Sequence, residues 1–301
     1  MELPRGLVAR PLTMSDARAV FEVMAAQERH DVGEVVIEEA DIVGDWQRPS
    51  FDLPASTTGV FDGERLVAYA EVGRSERGDA AVHPDHRGRG LGTALAGWMR
   101  ETAAARGWAR IGMPVPEGSA GDRLLAGLGY DVRWSSWVLK LPAGTEVPPR
   151  PLPAGYAVRA ATDADLEAAW TVKEDAFLEW SVRDRETYAD WRAGSVERPG
   201  FEPWHLRVVT DAGGAVVGMA FLLLVDANAE REAYVDQLAT RADQRGLGLG
   251  QALLADAFAV ARAHGATTSS LSTDSRTGAL GLYEKVGMVV TSTYVHRSAL
   301  L

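Results

Sequence analysis

The stretch "RGRGLG" at residues 87–92 returns as "RGLGLG" at residues 245–250, with residue 245 lying 158 positions after residue 87. Two such stretches are either separate glycine-rich surface loops or two copies of one working unit, and their surroundings decide the matter. At the same spacing Leu95 falls on Leu253, Gly107 on Gly265, Leu124 on Leu282 and Gly129 on Gly287. One register therefore holds over about fifty residues without a gap, the signature of an internal repeat. Earlier in the chain "GLVARPLTMSD" from Gly6 matches "GYAVRAATDAD" from Gly155 at a spacing of 149, so the second copy carries nine more residues between these landmarks.

Between the copies lies "LPAGTEVPPRPLPAG", residues 141–155, whose five prolines cannot continue a helix or a central strand. The expected organisation is a first unit over residues 1–141, a linker over 142–154 and a second unit over 155–301. A length of 301 residues suits two domains of about 150 residues each.

Within each copy the coarse order is the same. A short strand ("LVAR", "YAVR") leads to a helix opened by Thr, Ser or Asp ("TMSDARAVFEVMAAQ", "TDADLEAAWTVKEDAF"). Apolar strands follow ("RLVAYAEVG", "AVVGMAFLLLV"), each entered through a turn at Asp62-Gly63 or Gly213-Gly214. A further strand runs into the glycine loop, and after it a helix continues to Gly107 or Gly265. Leu249, Leu253, Leu254 and Ala257 mark one face of the second such helix. The implied class is α/β with a mixed sheet.

Composition narrows the function. With 46% hydrophobic and 24% charged residues the chain reads as an ordinary globular protein, and its longest apolar run, "VVGMAFLLLV", is too short for a membrane span. The start, "MELPRGLVARP", shows no apolar leader, so a cytoplasmic location is expected. No cysteine is present, which removes disulfides, thiol nucleophiles and thiolate metal sites, and the six histidines show no zinc-type spacing, so no metal is expected. A net charge of −11 disfavours nucleic acid and fits a cationic small substrate or simple solubility.

A glycine loop between a strand and a helix has a specific use. Glycines let a ligand approach the backbone closely, and the helix behind offers unpaired N–H groups and a positive dipole end. An anion such as a pyrophosphate fits there. Neither the Lys-Ser/Thr ending of a nucleotide P-loop nor the spacing of a dinucleotide fingerprint is present. Tight helix packing alone is the alternative reading of both loops.

The segment "LATRADQRGLGLGQALLADAFAVARAHG", followed by "ALGLYEKVGM", resembles the acetyl-CoA-binding core of the GNAT acetyltransferase superfamily, and "AVHPDHRGRGLGTALAGWMRETAAARG" resembles it again. The resemblance covers nearly the whole chain as a tandem pair, an arrangement similar to actinobacterial members. It implies two GNAT-type domains, each a mostly antiparallel mixed sheet flanked by helices, with acetyl-CoA as cosubstrate. It places the pantetheine arm beside Leu238, Ala239 and Thr240, and the pyrophosphate on Arg245, Gly246, Leu247, Gly248, Leu249, Gly250 and Gln251. In the first copy the matching positions are Val82 and Arg87, Gly88, Arg89, Gly90, Leu91, Gly92 and Thr93. The family's general acid, a tyrosine in "LYEKVG", is Tyr283, whereas the first copy has Leu125 there and is expected to be catalytically degenerate.

For the general base the family's usual strand position is Tyr234, with Asp236 two residues on; Asp236 is the expected base, acting directly or through water, with Tyr234 as hydrogen-bonding partner. Binding of a cationic substrate is the other reading of Asp236. The equivalent first-copy residue, Glu76, lies in a turn-like "RSERGD", and Arg276 replaces the family's asparagine. The acceptor pocket is expected over residues 177–204, with Trp180, Trp191 and Trp204 as an aromatic wall or as packing, and Glu174, Asp175 and Glu179 as negative charge or a solvated face.

An N-acetyltransferase for a primary amine of a small metabolite is the leading reading. A peptide or protein N-terminal acetyltransferase and a non-catalytic acetyl-CoA sensor are the alternatives. A monomer or weak homodimer is expected, with no nucleic acid and no membrane among its partners.

Overall fold

The structure, a computed structural model, describes residues 1–227 and 230–301. It divides into two compact units, Met1–Ser136 with Thr293–Leu301, and Trp137–Ser292.

In the first unit the chain runs β1 (Leu7–Arg10), α1 (Ala17–Asp31), α2 (Glu39–Trp46), α3 (Leu53–Ser56), β2 (Thr57–Asp62), β3 (Arg65–Val72), β4 (Gly78–Val82), α4 (Leu91–Ala105), β5 (Arg110–Pro116), α5 (Ala120–Gly127) and β6 (Asp131–Leu141). Strands β1 to β4 form an antiparallel sheet in chain order. One face packs against α4 through Leu91, Leu95, Met99 and Ala103, and the other against α1 and α2 through Val20, Val23, Ile42 and Trp46.

The second unit repeats the plan with β7 (Ala157–Ala160), α6 (Leu166–Leu178), α7 (Tyr188–Gly194), β8 (Leu206–Thr210), β9 (Val216–Ala227), β10 (Glu230–Thr240), α8 (Leu249–Ala263), β11 (Thr268–Asp274), α9 (Leu280–Lys285) and β12 (Val289–Leu300). Strands β7 to β10 pair antiparallel in chain order, and β10 pairs parallel with β11. Helices α8 and α9 cover one face, and α6 and α7 the other. In the first unit a single parallel bridge, Arg77 with Gly112, stands where β10 and β11 pair in the second, so both units are mixed and mostly antiparallel, with helices on two sides.

The repeat extends to individual side chains. Thr13 and Thr162 each donate their backbone N–H to an aspartate three residues on, at 2.8 Å in both cases. That aspartate is gripped by two guanidinium contacts, Arg10 on Asp16 at 2.9 and 2.7 Å and Arg159 on Asp165 at 2.6 and 2.9 Å. Every one of these residues obeys the spacing of 149. Such a reciprocal cap satisfies backbone donors that a helix start leaves open.

The unit boundaries differ from those expected, the linker over 142–154 being itself part of the second unit. Residues 137–141 belong to the second unit, and 293–301 to the first. Tyr294 to Leu300 pair antiparallel with β5, and Val295 and Ala299 join the core beneath α4. Arg297 secures the segment through an ion pair with Asp122 and a 2.9 Å hydrogen bond to the Tyr130 carbonyl. A Cβ on Gly112 would collide with the Arg297 carbonyl, so glycine there is required by the close approach of this strand.

Candidate coenzyme and acetyl-transfer site

The two glycine loops have one geometry. Each follows its strand through a single 3-10 turn, Pro84–His86 or Ala242–Gln244, and ends on a left-handed glycine at the helix N-cap: Gly90 at φ +83° and Gly248 at φ +81°. Gly88 and Gly246 also have positive φ, at 73° and 79°. Open space within 4 Å of a Cβ at Gly88, Gly90 and Gly246 leaves those stretches accessible to a ligand. Side chains on L-residues resist this backbone, so the R-x-x-G-x-G pattern follows from conformation as well as from close approach.

Ahead of the second loop the sheet opens. The parallel register of β10 with β11 covers only Glu232 to Val235 against Thr268 to Leu271, although β10 continues to Thr240 along its other neighbour, β9. Where they part, the β9 register slips between Val235 and Gln237, so Asp236 is the extra residue of a β-bulge. Before the bulge Tyr234 packs with the α6 cluster and Val235 with the α8 cluster. Beyond it Leu238 faces α8 and Ala239 faces α6. Strand alternation would put Asp236 on the face of Tyr234; the bulge instead makes it the exposed residue at which the faces exchange. The β11-side edge of 238–240 is left for a ligand strand, which suits the pantetheine arm that the family places there.

Around this opening Tyr234 Oη donates to Ser272 Oγ at 3.1 Å, Gln237 Nε2 donates to Asp236 Oδ2 at 3.1 Å, and buried Trp191 donates its Nε1 to Gln237 Oε1 at 3.1 Å. Tyr283 lies on the opposite layer, 7% exposed within the α8 cluster, and burial pushes its phenol up to about 12. Among the described residues nothing hydrogen-bonds its hydroxyl, so the proton is held on a neutral phenol without a competing partner.

Several expected contacts are otherwise engaged. Arg245 grips Glu179 at 2.6 and 2.7 Å, and Asp175 pairs with Arg185. Glu174, 0% exposed, accepts from Lys173, Arg183 and the Glu186 backbone. These three carboxylates form ion pairs instead of an open acidic patch. Of the tryptophans, Trp191 is core, Trp204 stacks on His264 at the far end of α8 (ring centroids 4.0 Å apart), and Trp180 lies under the Arg276 guanidinium at 4.9 Å. A shared aromatic wall is therefore not what these residues build. Arg276 is also anchored to Asp274.

One carboxylate escaped the sequence reading. Glu232, 7% exposed, sits two residues before Tyr234, accepts a hydrogen bond from Ser270 Oγ and pairs with Lys140 at 3.1 Å. A charged residue recurring at strand period with Tyr234 was its only signal.

In the first unit Val82 N–H donates to Gln27 Oε1 at 3.1 Å, and Arg87 is held by Asp31 at 2.7 and 2.8 Å. Glu76 has φ +63° and lies 3.8 Å from Arg110 and 3.7 Å from Arg133, as a turn residue with a basic neighbourhood. Leu125 is buried core. Among the described residues no group of acidic or histidine side chains is arranged to hold a metal, and no helix is long and apolar enough to cross a membrane.

A twice-repeated mixed sheet that opens beside a left-handed glycine loop is the architecture of an acyl-CoA-dependent transferase. The family model described as "Acetyltransferase (GNAT) family" matches residues 22–119 and 166–288, and the chain belongs to that family. Among its relatives, the mycothiol acetyltransferase of Thermobispora bispora is 31% identical over 242 residues, covering 76% of this chain and 78% of its own. That of Streptomyces coelicolor is 27% identical over 94% of this chain and 91% of its own. A GCN5-related N-acetyltransferase from Sphaerobacter thermophilus superposes with a TM-score of 0.73 at 26% identity, covering 99% of this chain and 97% of that one. A tandem GNAT protein from the clavulanic acid biosynthesis pathway shares the fold at a TM-score of 0.71 and 20% identity over 98% of each chain. The protein is an acetyltransferase of tandem GNAT type.

Proposed function

We propose that the second unit moves an acetyl group from acetyl-CoA to the primary amine of a small cationic metabolite by direct attack, while the first unit keeps the coenzyme loop without the acid. The observation that carries this reading is the parting of β10 from β11 at Asp236, on the strand that leads into the Gly246–Gly248 turn. Acetyl-CoA, when bound, supplies the activated thioester.

The chain's own residues supply the rest. The edge of Leu238 to Thr240 pairs with the pantetheine arm, and the N–H groups of the 245–251 loop hold the pyrophosphate. Asp236, exposed at the bulge, takes the proton from the ammonium group directly or through water, beside Tyr234. Tyr283 keeps its proton until a thiolate needs it, because burial opposes a phenolate. Tyr234 and Tyr283 belong to opposite layers of the sheet, so amine and leaving group are served from different sides. Glu174, Asp175 and Glu179 are engaged in ion pairs and Glu232 is paired with Lys140, so the carboxylate placed at the opening to meet a cation is the exposed Asp236. The coverage of the Streptomyces coelicolor relative makes mycothiol acetylation the second activity to assay beside an amine panel.

Titration of the purified protein with acetyl-CoA by calorimetry tests the reading. Binding at one or two sites is expected, with Gly248→Val removing one of them. No binding returns both loops to a packing role.

A further inference from the structure

The stretch between the two copies is more than a tether. Val147 is 5% exposed in the α8 cluster, and Leu152 packs partly buried on the same cluster. Gln251, in the first turn of α8, donates its Nε2 to the Pro148 carbonyl at 2.8 Å, and Tyr156 donates its hydroxyl to Gln244 Oε1 at 2.7 Å. The segment 147–156 is thus pinned on both sides of residue 150 to the glycine loop and its helix. Pro148, Pro149 and Pro151 restrict the backbone around that residue.

At the centre of the strap the Arg150 side chain lies across Gly248. A Cβ on Gly248 would run into Arg150 Nε and Cδ, with Cγ at 3.0 Å. Two other arginines belong to this loop, and both are bound by carboxylates: Arg241 by Asp243 at 3.0 and 2.7 Å, and Arg245 by Glu179. Arg150 is exposed and makes no hydrogen bond or ion pair among the described residues. The loop therefore has one uncompensated guanidinium, and it comes from outside the glycine motif. In the first copy the space over Gly90 is open within 4 Å.

We infer that Arg150 is a coenzyme-binding residue of the second unit, its guanidinium closing over the pyrophosphate that the 245–251 amides hold. A planar guanidinium suits two phosphate oxygens, and a strap already pinned at both ends loses little freedom when it binds. This inference rests on the coenzyme reading proposed above.

Calorimetry with acetyl-CoA tests it on wild type, Arg150→Ala and Arg150→Lys, read at the site that Gly248→Val removes. Arg150→Ala is expected to raise Kd about tenfold, the loss of one charge-assisted contact, with Arg150→Lys between the two and a weaker salt dependence in the alanine variant. The same penalty is expected with the 3′-dephospho form of the coenzyme. An unchanged or lower Kd in Arg150→Ala, with wild type still binding, overturns the clamp alone, and tighter binding shows Arg150 to be a plug. A penalty that vanishes with the dephospho form overturns the pyrophosphate assignment. Absence of wild-type binding overturns both the clamp and the coenzyme reading. Because Arg150 is exposed, an unchanged melting midpoint in the variants separates binding effects from folding.

Discussion

The two units share a loop but not the face in front of it. In the first, Gly78 stands 158 positions before Asp236, and a Cβ there would sit 2.7 Å from Met99 Sδ. Asp79, matching Gln237, lies directly across from Glu71 in the β3–β4 register, and Trp46 Nε1 donates to Glu71 Oε2 at 2.9 Å. In the second unit the neutral Gln237 receives the tryptophan N–H, and a carboxylate is exposed at the bulge. One copy has turned its acidic groups inward, and the other presents one at the opening. A repeated backbone therefore does not repeat a chemistry: the loop needs only glycines and a helix end, whereas proton transfer needs particular side chains in particular solvation.

The largest effect that can break this comparison is at Tyr283. Tyr283→Phe is expected to lower turnover by on the order of 10² to 10⁴ while leaving the calorimetric affinity for acetyl-CoA unchanged. A variant of normal rate would place the acid elsewhere. Asp236→Asn and Glu232→Gln, assayed beside it, are expected to rank with Asp236 the more damaging; the reverse order assigns the base to Glu232.

A smaller effect sharpens the contrast from the first unit. Burial, joined by the like charge of Asp79 and opposed by the Trp46 hydrogen bond, pushes the Glu71 carboxyl from 4.5 up to about 7. The folded state holds this proton more tightly than the unfolded chain. Stability is therefore lost as pH rises from about 4.5 through 7. Glu71→Gln keeps an acceptor for Trp46 and is expected to stabilise the protein by up to about 3 kcal/mol near pH 8 and negligibly near pH 4, as chemical denaturation would show. Equal gains at both pH values would remove ionisation as the cause.

The smallest effect concerns what the copies have kept in common. The Arg10 hydrogen bonds, aided by Thr13, lower Asp16 from 3.8 to about 2, and Arg159 and Thr162 likewise hold Asp165 well below the usual carboxylate range. These caps contribute stability that is complete above about pH 4 and lost, for Asp16, as pH falls through about 2. Asp16→Asn and Asp165→Asn are each expected to cost roughly 2 kcal/mol at pH 7. Clearly unequal costs would mean that the two copies do not use their caps alike.

Much of this was legible in the chain. Glycine is forced by positive φ at Gly248 and Gly90, caps require short polar residues, and α8 shows its buried face through Leu249, Leu253, Leu254 and Ala257. Such signals are local, set within a turn or two of the backbone. The tandem repeat, the mixed sheet and the loop geometry followed from them.

Tertiary structure decided what local patterns leave degenerate. β6 and β12 are both long, and nothing in either strand says which unit it completes; pairing with β5 and packing under α4 assigned residues 293–301 to the first. The bulge at Asp236 reverses strand alternation through a neighbouring strand's register, and nothing within β10 itself announces it. Glu174, Asp175 and Glu179 read as either available charge or a solvated face until Arg183, Arg185 and Arg245 were in place beside them, and Arg150 read as linker until the strap was seen against Gly248. Conformational preference is a property of short segments and is written in the sequence; the availability of a charge depends on which distant group the fold sets beside it.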